Sequence, residues 1–184
     1  PDSGKTFVSS TLAAVVAQAG QKVLYIDADM RRGYAHDLFK LDNTCGLSEM
    51  LSGKAEYTQG VQTFDKGGFD TIVRGPIPPN PAELLMHTRF QLRDWANERY
   101  DLVIIDTPPI LAVTDAAVVG RRAGTTMLVA RFGMNSVKEM LVCVQRLEQS
   151  GVNTKGVILN GVVKRASNAY GYGYHHYGYN YSSN

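Results

Sequence analysis

Short apolar runs recur along the chain at Lys22–Ile26, Asp70–Val73, Leu102–Ile105, Thr126–Val129 and Gly156–Leu159. Each has the length of a strand. Several are apolar throughout rather than alternating, the pattern of strands covered on both faces. Amphipathic stretches lie between them. Val8–Ala19 is rich in alanine and valine and reads as a helix. In "NPAELL", Asn80 offers an N-cap, Pro81 suits the first helical position, and Glu83 completes a capping pattern. That helix is expected to run to about Arg99. Ser136 and Glu139 form a second capping box, followed by an apolar face of Val137, Met140, Leu141, Val144 and Leu147 that ends at Gly151. Residues 31–68 are less regular and are expected to hold short helices. From Arg165 onward the periodicity stops, and no internal repeat is visible. Strand–helix alternation of this kind predicts an α/β fold with a mostly parallel β-sheet flanked by helices.

Three motifs fall where such a sheet binds ligands, outside the carboxyl ends of its strands. The first is "PDSGKTF", residues 1–7. Gly4-Lys5-Thr6 opening a helix is the second half of a P-loop. Free backbone N–H groups at a helix N-terminus face the phosphates, Lys5 adds a point charge, and the Thr6 hydroxyl can ligate Mg²⁺. The second is "VLYIDADMRR", where a buried strand runs into Asp27 and Asp29. Carboxylates two residues apart can share a side, and they repel unless a cation lies nearby. The third is "LVIIDTPP". Asp106 has the position of a Walker-B aspartate, and Pro108 and Pro109 carry the backbone away from the sheet before another helix can start. A plain helix start, a solvated turn or an ordinary strand exit explains each motif taken singly. Their convergence on one sheet edge points to nucleotide and Mg²⁺ binding.

Composition adds bounds. The 184 residues suit one domain, with 44% hydrophobic and 20% charged residues. A net charge of +2 gives no argument for nucleic acid. Cys45 and Cys143 form neither a metal spacing nor a disulfide framework, which fits a reduced, cytosolic setting. No apolar run is long enough to span a bilayer. The abrupt start at "PDSGKTF" suggests a fragment whose P-loop strand lies upstream. On that reading the first, central strand comes from the full protein.

Taken together, Gly4-Lys5-Thr6, "LYIDADMR" as a Walker A′ motif and "LVIIDTPP" as Walker B resemble the bacterial tyrosine kinases (BY-kinases) of the Wzc/Etk type. "RGPIPPNPAELL", "TPPILAVTDAAVVGR" and "GVILN" extend the resemblance over nearly the whole chain. It implies a MinD/ParA-like P-loop NTPase fold and an ATP- and Mg²⁺-dependent autokinase that regulates capsule and exopolysaccharide export. Residue by residue, Ser3, Gly4, Lys5, Thr6 and Phe7 would bind the nucleotide phosphates. Thr6, Asp29 and Asp106 would hold Mg²⁺ directly or through water, Asp27 would be the base, and Asn160 would sit near the adenine. Asp2 stands where the family has a small residue and is expected to point outward. The resemblance further implies a homo-oligomeric ring, an octamer, at the cytoplasmic face of the bacterial inner membrane. A low-molecular-weight tyrosine phosphatase and the polysaccharide export machinery would be its partners. Membrane contact would come only through segments outside this chain, which also lacks the family's EX₂RX₂R oligomerisation segment.

The kinase domain is expected over residues 1–164, with a flexible autophosphorylation tail over 165–184. The tail holds Tyr170, Tyr172, Tyr174, Tyr177, Tyr179 and Tyr181, spaced by glycine, asparagine and histidine. A sticky low-complexity segment is the plainer reading. Adjacent His175 and His176 have poor ligand spacing. Trp95 is expected in the core, and Arg121 and Arg122 on a solvated face or a subunit contact. Two other functions use similar residues: a MinD/ParA-type regulatory ATPase, and a tyrosine-rich interaction module with a vestigial nucleotide site.

Overall fold

A computed structural model describes residues 3–86 and 92–163. Asp2, the six tail tyrosines, His175 and His176 lie outside these residues. Helix α1 (Lys5–Gln18) leads directly into strand β1 (Val23–Asp27). Short helices α2 (Ala35–Phe39) and α3 (Leu47–Ser52) follow, then strands β2 (Val61–Phe64) and β3 (Phe69–Ile72). Helices α4 (Pro81–Met86) and α5 (Leu92–Asn97) precede β4 (Leu102–Asp106). The chain then forms α6 (Asp115–Gly120), β5 (Thr126–Arg131), α7 (Val137–Gln149) and β6 (Thr154–Asn160).

Strands β1 to β4 form one sheet in the order β2-β3-β1-β4. β1 runs parallel to both neighbours, and only edge strand β2 is antiparallel. β5 and β6 form a separate parallel pair. Side chains alternate across β1 with period two. Val23 and Tyr25 pack with Ala13 of α1 and with Phe39 and Phe69. Leu24 and Ile26 face the other way, onto Leu47, Leu51, Leu85 and Leu92. β1 is therefore buried on both sides, as its unbroken apolar pattern requires.

The remaining strands depart from that pattern. β4 is only partly covered until Asp106, and β6 alternates between half-buried and exposed positions. A cavity of about 850 Å³ explains the difference for β4. Val103, Ile105, Leu128 and Val129 are among its lining residues, so β4 and β5 flank it without pairing.

Local chemistry explains the helix boundaries. Ser136 Oγ accepts from the Glu139 N–H at 3.2 Å, and the Ser136 N–H donates to Glu139 at 2.8 Å, so the capping box of α7 forms as expected. The buried stripe of α7 is Cys143 and Leu147. Val137 and Leu141 of the expected face stand exposed, while α7 packs on α6 and β6. Asn80 Nδ2 donates to Glu83, and the Asn80 carbonyl accepts the first helical bond, from Leu84. The expected long helix from Asn80 is described as α4 and α5, with its middle outside the described residues. β2 lies in a stretch expected to hold only short helices, and α6 ends just before Arg121 and Arg122. Trp95 is half-buried at the rim of the larger core, beside Tyr57 and Tyr100.

Phe39 joins three elements, with ring centroids 5.4 Å from Tyr25, 4.6 Å from Phe64 and 5.6 Å from Phe69. Truncating a buried aromatic side chain removes its burial and leaves a cavity. Phe39→Ala is expected to cost about 3 kcal/mol in denaturant unfolding. A loss within about 0.5 kcal/mol, the usual size for surface changes, would show that this cluster does not hold α2 to the sheet.

Candidate active site

The site grows out of strand register. Asp27 and Asp106 are direct partners across the parallel β1–β4 pair. They continue the faces that begin with Val23 and Tyr25 on one strand and Leu102 and Ile104 on the other. That face is the one α1 covers, so both carboxylates end beside the start of α1. Both are buried. The Ala28 N–H donates to the Asp106 carbonyl at 2.8 Å and extends the pairing past the strand ends.

The two acids are held differently. Asp27 accepts from the backbone N–H groups of Asp29 and Ala35, both at 3.1 Å. The loop between them wraps the carboxylate closely. A Cβ at Gly33 would come within 2.4 Å of both Asp27 oxygens, so only glycine fits. Burial is the largest influence on Asp27 and pushes its pKa from the ordinary 3.8 to about 7. The charge of Asp106 pushes the same way, against the two backbone donors. Asp106 Oδ2 accepts from Thr6 Oγ1 at 2.5 Å and from Tyr25 Oη at 3.1 Å. Burial raises this pKa too, opposed by the Thr6 bond, the Lys5 charge and the Tyr25 bond.

The P-loop residues meet these acids. Gly4 caps α1 with φ +85°, a left-handed conformation that favours glycine. A Cβ there would also lie 2.3 Å from Asn160 Nδ2, which donates to the Ser3 carbonyl at 3.0 Å. Asn160 thus ties the end of β6 to the loop. The first intrahelical bond is made by the Val8 N–H, leaving those of Lys5, Thr6 and Phe7 as an anion cradle. The Phe7 ring is 63% exposed, so Phe7 offers this site its backbone and not its side chain. Asp29 turns toward its own loop, where Oδ1 accepts from the N–H groups of Arg31 and Arg32 at 3.2 and 2.9 Å. Its charge still raises the pKa of both Asp27 and Asp106.

Sequence reasoning missed the supporting residues. Arg31 makes a two-pronged bond to fully buried Asp115 at 3.0 and 3.3 Å, joining the Asp27 loop to the start of α6. Arg74 Nε donates to the Gly33 carbonyl at 2.7 Å. Arg146 donates to the carbonyls of Ile110 and Leu111, holding the turn after Pro109. A buried carboxylate needs a cationic partner, and the acid of "TDAA" with the arginines of "DMRR" was the available signal.

The donor set suits Mg²⁺, a hard cation that prefers oxygen ligands and keeps several waters, using one or two carboxylates beside phosphate oxygens. Among the described residues no group of three or more His, Cys, Asp or Glu forms a ready metal cage. Thr6, Asp29 and Asp106 could complete a site that phosphates share.

The CobQ/CobB/MinD/ParA nucleotide binding domain family matches residues 2–172. The solved kinase domain of the Escherichia coli tyrosine kinase ETK superposes with a TM-score of 0.89 at 68% identity, covering 95% of this chain and 69% of that one. The chain belongs to the bacterial tyrosine kinase family. Tyrosine-protein kinase etk of Escherichia coli K12 is 68% identical over 173 residues, 94% of this chain and 24% of that protein. A putative tyrosine-protein kinase in the cps region of Klebsiella pneumoniae is 58% identical over 172 residues, 93% of this chain and again 24% of the relative. This BY-kinase chain therefore spans about a quarter of the length of the curated relatives it matches. Its fold is the α/β P-loop NTPase fold of the MinD/ParA group.

The raised pKa of Asp27 has a stability consequence. Between about pH 4 and pH 7 the folded protein holds a proton that the unfolded chain releases. That contribution is full below about pH 4 and is lost as the pH rises through about 7. Carboxyl ¹³C NMR on protein free of metal and nucleotide is expected to show Asp27 titrating near pH 7. A midpoint at the ordinary 3.8 would mean that water reaches this carboxylate.

Proposed function

We propose that this chain is the catalytic part of an ATP-dependent protein-tyrosine autokinase that regulates capsule or exopolysaccharide polymerisation and export. The observation that carries the reading is a buried carboxylate with its pKa near 7, Asp27, in register with an acid bonded to the P-loop threonine. A phenol has a pKa of about 10, so a base poised near neutrality helps it lose its proton during attack. The tyrosine oxygen forms a bond to the γ-phosphorus of ATP, the bond to the β–γ bridging oxygen breaks, ADP leaves, and the phenolic proton passes to Asp27. Lys5 and the free N–H groups at the start of α1 hold the phosphates and stabilise their charge. Mg²⁺, when bound, would neutralise charge on the transferred group, held by Thr6, Asp29 and Asp106. Asn160 would lie beside the base of the nucleotide.

The acceptors are proposed to be Tyr170, Tyr172, Tyr174, Tyr177, Tyr179 and Tyr181, in a tail over residues 165–184 that follows a kinase domain over 1–164. A strand from a longer parent chain would fill the cavity between β4 and β5 and join the two sheets. The whole protein would act at the cytoplasmic face of the bacterial inner membrane, alongside the polysaccharide export machinery and a low-molecular-weight tyrosine phosphatase. Among the described residues no helix is long and apolar enough to cross a membrane, so an anchor would come from elsewhere. A MinD/ParA-type ATPase switch is the second reading, favoured by the shared fold.

Incubating the full-length protein with ATP and Mg²⁺, followed by mass spectrometry of the tail, separates the readings. Phosphotyrosine is expected in the wild type and at under about a hundredth of that level in Lys5→Met, the size of effect seen when one transition-state charge contact is removed. Free phosphate without phosphotyrosine would favour the ATPase, and wild-type labelling in Lys5→Met would overturn the kinase reading.

Unphosphorylated tails that reach a neighbour's site would link protomers head to tail, and such contacts close into a ring when the rotation permits. The resemblance implies an octamer. Each phosphotyrosine brings about −1.5 to −2 charges toward a site that already holds Asp27, Asp29 and Asp106. Light scattering is expected to show the ring in phosphatase-treated protein and smaller species after autophosphorylation. Equal masses in the two states would remove the tail from assembly.

A further inference from the structure

Tyr25 carries a hydroxyl where the core needs only a ring. Its side chain is fully buried with Ala13, Phe39 and Phe69, a set that phenylalanine would complete equally well. A buried hydroxyl is costly unless it is bonded. Here Tyr25 Oη donates to Asp106 Oδ2 at 3.1 Å and lies 3.3 Å from Ser9 Oγ on α1. A phenol has one proton, and it goes to Asp106. Ser9 Oγ can reach Tyr25 Oη only by donating, and its single proton has the Thr6 carbonyl at 3.2 Å as a competing acceptor. Two hydroxyls thus end on the same carboxylate oxygen, Thr6 from the P-loop and Tyr25 from the strand. Oδ1 accepts no hydrogen bond among the described residues.

We propose that Tyr25 is a positioning residue for Asp106. Its hydroxyl, backed by Ser9, fixes the rotation of the carboxylate from inside the core and leaves Oδ1 for the Mg²⁺–nucleotide. The inference rests on the reading of Asp106 as a metal-side acid and adds a residue to it. Thr6 alone leaves the carboxylate free to swing about that contact. A second hydroxyl from a different element removes this freedom. Tyr25, fully buried behind Asp106, acts only through that carboxylate.

The test is equilibrium binding of a fluorescent ADP analogue to the full-length protein, in Mg²⁺ and in EDTA. Wild type is expected to bind more tightly with Mg²⁺. Tyr25→Phe should keep its EDTA affinity within about twofold and lose about tenfold of the gain from Mg²⁺, the scale of one hydrogen bond to a charged group. Ser9→Ala should lose two- to threefold in the same direction. A full Mg²⁺ gain in Tyr25→Phe, or an equal loss in EDTA and Mg²⁺, would overturn the role of Tyr25 alone. Should Tyr25→Phe fail to fold, Ser9→Ala decides, and an unchanged gain there rejects the proposal. A wild type with no Mg²⁺ gain would instead remove the metal role of Asp106, and this inference with it.

Discussion

The parallel register of β1 against β4 is the constraint on which the site depends. It sets Asp27 opposite Asp106 and turns both toward α1. Two acids in so dry a place repel each other, and each loses solvation. Much of the nearby chain answers that cost. Backbone donors and a glycine enclose Asp27, while hydroxyls and the Lys5 charge support Asp106. The free N–H groups at the start of α1 add positive potential at the same end of the sheet.

This arrangement keeps the two carboxylates unlike. Asp27 is reached by N–H groups of a tight loop and, among the described residues, is bonded by no positive side chain. Asp106 feels Lys5 and two hydroxyls. The two acids therefore sit in different environments although burial raises the pKa of both. Arg31 contributes from outside. Its bond to Asp115 anchors the Asp27 loop to α6 without bringing a cation onto Asp27 itself, since the Arg31 charge is taken by Asp115.

β1, β4 and the start of α1 were legible in the sequence because each couples an apolar run to a polar residue at the element's end. The Ser136–Glu139 box was legible for a local reason, as both partners lie within one turn. β2 was not, because Val61-Gln62-Thr63-Phe64 is short and half polar and gains its strand character only by pairing with β3. The face of α7 was misjudged at Val137 and Leu141, where helical period marks apolar positions but cannot say how wide the covering layer is. Tyr25 hid for a related reason. Its place on the inward period of β1 reads as core, and only the distance to Asp106 gives its hydroxyl a purpose. Lys5, Thr6, Asp27 and Asp106 come together at one sheet edge because motif spacing and strand ends carry their geometry. The adenine-side expectation for Asn160 came from family resemblance alone, and its bond to the Ser3 carbonyl was not legible in the strand pattern.

The separation of the two sheets has a mechanical consequence. β4 pairs with β1 and β5 with β6, and between the two sheets lies the cavity instead of a hydrogen-bonded ladder. A continuous sheet resists shear because every ladder bond must slip together. Ser3 travels with α1, which packs on the first sheet, and Asn160 travels with the second, so their single hydrogen bond spans the joint. A displacement of about 1 Å along it would carry that bond beyond hydrogen-bonding range. The Ser3–Asn160 bond is thus a sensitive reporter of how the end of β6 sits against the P-loop.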